Sequence, residues 1–154
     1  MSLYIIYHDI GGTHGPSIAA AIHLNELPSD EIPGKTEIEK LILSERFRTG
    51  SEGRLVFHGK DHYGHQIFSF ARRYAPSMFL NAFSSIMTIT KKDPKDLLYI
   101  DTMPFANTQM IIGGSYARRA GLASLGRPLL ILGILQAYPQ LSSLVWKTQL
   151  KLEP

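Results

Sequence analysis

Apolar positions follow two different periods along this chain. Leu3 to His8 is a continuous apolar and aromatic run, the pattern of a central strand covered on both faces. It leads into a glycine-rich corner carrying Gly11, Gly12, Thr13, His14 and Gly15. From Pro16 to about Asn25 the spacing predicts a helix, kept slim by Ala19, Ala20 and Ala21, with a proline suited to its first turn. Leu27 to Gly34 holds two prolines and a glycine and reads as a loop. Thr36 to Arg46 then returns to helical spacing through Ile38, Leu41 and Ile42, with Thr36 and Glu39 as a capping box and Gly50 to Gly53 closing the segment. Arg54 to His58 and His65 to Phe70 are short alternating runs around Lys60 to Gly64, which predicts a β-hairpin.

In the second half, Pro76 to Thr88 is helical, with Met78, Phe79, Ala82, Phe83, Ile86 and Met87 on one face. Leu97 to Ile100 is a buried strand ending at Asp101. Thr102 to Gly114 reads as a loop. Ser115 to Ala123 reads as a helix capped by Ser115, with Gly126 beyond its end. Leu129 to Leu132 reads as a further strand and Tyr138 to Leu150 as a last helix. Strands alternating with helices imply one α/β domain over residues 1–154. It is expected to be three-layer, with a mainly parallel sheet, helices on both faces and one β-hairpin. The strands at 3–8, 97–100 and 129–132 are expected side by side.

Composition narrows the partners. A chain of 154 residues with 44% hydrophobic and 19% charged residues suits one soluble globular core. The net charge of +3 is modest, and the basic pairs Arg72-Arg73, Lys91-Lys92 and Arg118-Arg119 are scattered, which argues against nucleic acid as a partner. Leu3 to Tyr7 is too short for a signal core or a membrane span, and Leu129 to Leu135 is strand-sized, so no membrane partner is expected. With no cysteine there is no disulfide and no thiolate chemistry, compatible with the cytoplasm.

The corner is the main candidate site. A strand entering a glycine-rich turn that opens a helix aims backbone N–H groups and a positive dipole end at one point, which suits phosphate. Gly11, Gly12, Thr13, His14, Gly15 and Ser17 are the candidate ligand-binding residues, with Thr13 and His14 able to donate from their side chains. No lysine follows Gly15, so this is not a nucleotide P-loop, and glycines at 11, 12 and 15 do not match the dinucleotide pattern. The alternative is a tight turn that binds nothing.

Ligands in open α/β sheets gather at strand carboxyl ends. That brings His8, Asp9, Thr13 and His14 toward Asp101 and Gln136. Asp101 is a candidate for catalysis with His14 and for holding Mg²⁺ through water, or alternatively it caps the loop that follows. Asn107, Gly113, Gly114 and Ser115 form a second candidate corner, with Arg118 and Arg119 after it to fork onto a phosphate. His58, His62 and His65 cluster on the hairpin, but their spacing is poor for a metal. His23 reads as a boundary residue.

The segments YHDIGGTHGPSIAAAIHLNELP, GRLVFHGKDHYGHQIFSFARR and DTMPFANTQMIIGGSYARRAGLASLGRPLLILGILQAYPQL together resemble a family of uncharacterised bacterial proteins, a domain of unknown function. The resemblance covers nearly the whole chain and implies small single-domain proteins of spore-forming bacteria with no established activity. Gly15-Pro16 stands where many relatives carry small hydroxyl residues. Two functions follow from the residues. One is binding of a phosphate-bearing small molecule at the corner, with phosphoryl transfer or hydrolysis as the chemistry. The other is a non-catalytic binding or self-association module.

Overall fold

The computed structural model describes residues 1–11, 13–44, 53–73, 75–119 and 121–153. Four strands, β1 (Tyr4–Asp9), β2 (Leu55–Lys60), β3 (Gln66–Ala71) and β4 (Leu97–Asp101), form one sheet in the order β2-β3-β1-β4. β1 is parallel to both β3 and β4, and β2 is antiparallel to β3 as the hairpin required. Five helices accompany them among the described residues: α1 (Gly15–His23), α2 (Lys35–Leu43), α3 (Pro76–Ile89), α4 (Thr108–Ala117) and α5 (Ala123–Leu152). The architecture is therefore mixed α/β with a mostly parallel sheet.

Strand alternation sorts the sheet's side chains. Ile5, Tyr7 and Ile67 point to one face and join a core with Ile18, Ala19 to Ile22 of α1 and Leu130, Ile134, Tyr138, Leu141 and Val145 of α5. The alanines let α1 lie close to the strands. Phe70 points away from that core and meets the rings of Phe79 and Phe83 on α3, 5.2 and 5.0 Å between centroids. Glu37, and not Glu39, reaches back at the start of α2, accepting from the Gly34 N–H at 2.8 Å; Thr36 lies inside the helix. The readings at 45–46 and 50–52, and the candidate Gly12 of the corner, lie outside the described residues.

The structure corrects the second half of the chain. Thr102 to Gly114 is not a loop: a 3-10 turn over Met103–Phe105 leads into α4, capped by Asn107, whose Oδ1 accepts from the Met110 N–H at 2.9 Å. Ser115 is inside that helix and caps nothing. Leu129 to Leu132 is not a strand but part of the 30-residue α5, so the third parallel strand is β3 of the hairpin. Leu130 and Ile131 of this run face the core, while Leu129 is half-buried and Leu132 exposed, so the run reads as continuous although only part of it is covered. Gly126, Pro128 and Gly133 mimic element boundaries. By length and composition alone α5 could cross a membrane, and half of that apolar window is buried within the fold.

The glycines serve contact between α4 and α5. A Cβ on Gly113 would lie 2.4 Å from the Leu130 nitrogen, one on Gly126 2.2 Å from the Ala117 nitrogen, and one on Gly133 2.6 Å from the Met110 nitrogen. Backbone meets backbone at all three, so neither helix can yield by turning a side chain. Gly126→Ala is expected to cost about 2–3 kcal/mol through overpacking, lowering the melting temperature by about 5–10 °C. An unchanged melting curve would contradict this contact.

Candidate functional site

Because β3, β1 and β4 are parallel, their carboxyl ends lie along one edge, and the chain places chemically competent residues there in succession. β1 ends in His8 and Asp9, β3 is followed by Arg72, and β4 ends in Asp101 and is followed by Thr102. Backbone bonds extend the ladder past the strands: the Arg72 N–H donates to the Asp9 carbonyl at 2.8 Å and the Thr102 N–H to the His8 carbonyl at 2.9 Å.

Asp9 organises the corner. It is only 1% exposed, and a carboxylate so buried must be hydrogen-bonded. Its Oδ1 accepts from the Gly11 N–H at 2.8 Å, and its Oδ2 accepts from the Thr13 hydroxyl. Thr13 Oγ1 in turn accepts from the Gly15 N–H at 3.2 Å. Gly11 takes φ 105°, open to glycine, but His14 also stands in the left-handed region at φ 61° as the residue before α1. For a non-glycine residue that conformation costs about 1–2 kcal/mol, and such strain gathers where geometry serves a site. Gly15 has its own reason: a Cβ there would meet Thr102 Oγ1 at 3.1 Å, so the glycine lets the end of β4 close on the corner.

Arg72, 8% exposed, is the hub beside it. Its Nε–H donates to His8 Nδ1 at 3.1 Å, and its Nη2 reaches Asp101 Oδ2 at 3.2 Å. A ring nitrogen that accepts from a guanidinium carries no proton, so His8 is the neutral Nε2–H tautomer. Asp101 Oδ1 also accepts from the Met103 N–H at 2.9 Å. Asp101 thus caps the turn after β4 and balances Arg72. Among the described residues no group of three or more His, Asp or Glu is placed to hold a metal.

The electrostatics follow from burial. Desolvation pushes His8 down, against the pull of Asp101. His14 is pushed down to about 4 by burial and then by the charge of Arg118. Burial pushes the Asp9 carboxyl up, opposed by Thr13, the Gly11 N–H and Arg72. Two arginines therefore bear on the corner from different elements.

Several sequence candidates stand apart. Asn107 is taken up in capping α4 and in donating to the Gly133 carbonyl at 2.8 Å, and Gly113, Gly114 and Ser115 are helical, so the second corner does not exist. Arg118 ends α4 instead of following a helix start, and Arg119 lies over the Tyr116 ring at 5.9 Å. Gln136 is in the middle of α5. The hairpin histidines diverge: His58 Nε2 meets Ser69 Oγ at 2.7 Å, His65 Nδ1 accepts from the Leu3 N–H at 3.1 Å, and His62 packs on Tyr63. His23 is core, not boundary, between the Tyr7 hydroxyl at 2.7 Å and Asp61 at 3.3 Å, near the amino ends of the strands. Sequence reading missed Arg72, whose signal was its position one residue past a strand parallel to β1.

The depressed histidines give a sign for acid behaviour. The unfolded chain binds protons at His8, His14 and His23 more readily than the folded one, so stability falls as pH drops below about 6.5 and, for His14, on down to about 4. Asp9 runs the other way, since its raised carboxyl takes a proton first in the folded state. Asparagine tolerates the left-handed region, so His14→Asn isolates one histidine. The urea midpoint of the wild type is expected to fall between pH 7 and pH 5, and the variant to lose less by about 1–2 kcal/mol. Identical pH slopes would contradict the neutral His14.

The family model described as "Protein of unknown function (DUF3189)" matches residues 4–150. No curated protein and no solved structure matches the chain.

Proposed function

We propose, for a chain that belongs to this family of unknown function, that it binds a phosphate-bearing small molecule at the carboxyl edge of β3, β1 and β4. The observation that carries this reading is Arg72 lying across the strand ends beside a strained strand-to-helix corner, with the charge of Arg118 adding to it at His14. Asp9 already occupies the Gly11 N–H, so the anion sits further out, toward His14, Ser17 and the start of α1, where the helix dipole adds its attraction. Asp101 is committed to Arg72 and the Met103 N–H, and this donor set does not favour resident Mg²⁺. The site lies at the edge of a three-layer arrangement that we infer from α1 and α3 packing on opposite faces of β3. The ligand is small, and the scattered lysines and arginines support this over nucleic acid; a cytoplasmic setting fits such a ligand.

The alternative of a non-catalytic self-association module draws on one observation, the apolar side chains of Ile111, Ile112, Leu125 and Leu132 exposed on α4 and α5. Thermal shift separates the two. A phosphorylated ligand at a hundred times its dissociation constant stabilises the fold by about 2.7 kcal/mol, a shift of several degrees for a chain of this size. Arg118→Glu is expected to abolish the shift while leaving the unliganded melting point within a degree or two. No shift by inorganic phosphate, sugar phosphates or nucleotides at millimolar concentration, together with a concentration-dependent dimer in sedimentation, would hand the case to self-association.

A further inference from the structure

A line of three polar side chains runs from the edge strand to the corner. The register of β2 on β3 steps from Phe57–Phe68 to Gly59–Ile67, which makes His58 the extra residue of a β-bulge. Bulges re-aim side chains and are common beside active sites. Here the ring of His58 meets Ser69 Oγ at 2.7 Å, with both residues more than nine-tenths buried. Ser69 in turn accepts from the hydroxyl of Ser17 at 3.4 Å. Ser17 is half-buried in the first turn of α1, directly after the corner. The outer hydroxyl belongs to the helix turn that adjoins the proposed anion site, and the inner end of the line is an imidazole.

We propose that Ser17 is a nucleophile toward phosphoryl groups, with His58 as its general base acting through Ser69. The substrate class rests on the anion site argued above; the proton path rests on the side chains alone. Ser17 Oγ attacks phosphorus and the bond from phosphorus to the leaving oxygen breaks. The Ser17 proton passes to Ser69 Oγ as Ser69 gives its own to His58 Nε2. The leaving oxygen departs on the side opposite Ser17 and takes its proton from water; the hydroxide so formed attacks the phosphoserine to release phosphate, and the Ser17 oxygen recovers the proton from the imidazolium through Ser69. The 3.4 Å step is long for a hydroxyl pair, as catalytic hydrogen bonds often are before substrate binds. The serine in direct reach of the imidazole is Ser69, and Ser17 is activated through it, an adjacent base being what a hydroxyl nucleophile needs.

The test is covalent labelling of the full chain with a fluorophosphonate probe, located by peptide mass spectrometry, because that reagent reacts with activated serines and loses fluoride in place of the leaving oxygen. Ser17 is expected to carry the label in the wild type. Labelling is expected to drop at least tenfold in His58→Gln and in Ser69→Ala and to vanish in Ser17→Ala, with melting points recorded for each; Ser69→Ala guards against loss of fold in His58→Gln. No label on Ser17, or a labelling rate indifferent to both His58→Gln and Ser69→Ala in folded protein, overturns the proposal. Protection of Ser17 by inorganic phosphate reports on the anion site separately. Labelling without protection sustains the nucleophile and removes the phosphate reading.

Discussion

A buried carboxylate at the end of the central strand governs the rest of the molecule. Asp9 sits between two parallel neighbours, where an unpaired charge would be prohibitive, so the chain must fold back to satisfy it. The Gly11 N–H and the Thr13 hydroxyl do so, and from that closure follow the left-handed His14, the start of α1 at Gly15 and the close approach of Thr102. The same carboxylate sets the character of the site. An anion at this corner meets a negative charge behind it, which is why its binding must draw on arginines and not on amides alone.

Those arginines are positioned by separate parts of the fold. Arg72 is held flat across the strand ends by His8 and Asp101, a buried guanidinium whose hydrogen-bonding fork a lysine could not reproduce. Arg118 ends α4, and α4 lies where it does because Gly113, Gly126 and Gly133 let its backbone touch that of α5. Packing far from the corner thereby fixes a charge beside it. The connection runs from glycine spacing to helix contact to the electrostatics that push His14 down to about 4.

The first half of the chain was legible because its signals were local. A six-residue apolar strand, a glycine corner and a proline at the helix start announce themselves in order, and the structure moves their bounds by only a residue or two. Pro76 to Thr88 and Leu97 to Ile100 likewise came within a residue of α3 and β4, but the chain from Thr102 on was not legible, because α5 is half buried and breaks its own pattern with two prolines and two glycines. Gly113 and Gly126 look like turn residues until a second helix is seen against them. That the corner and Asp101 lie at strand carboxyl ends was legible from position, but the place of Arg72 was not, since it depends on β3 pairing in parallel with β1, a long-range fact. The line from His58 to Ser17 depends on a bulge, which no local pattern marks.

The central claim, that an anion binds outside the Asp9 closure under Arg72 and Arg118, is tested most directly by an amide and guanidinium nitrogen NMR titration of the intact chain with inorganic phosphate. Saturable shifts are predicted at the amides of Thr13, His14 and Ser17 and at Arg72 Nε, with the Gly11 amide moving little because Asp9 holds it. Shifts confined to exposed lysines such as Lys91 and Lys95, without saturation, would contradict the account.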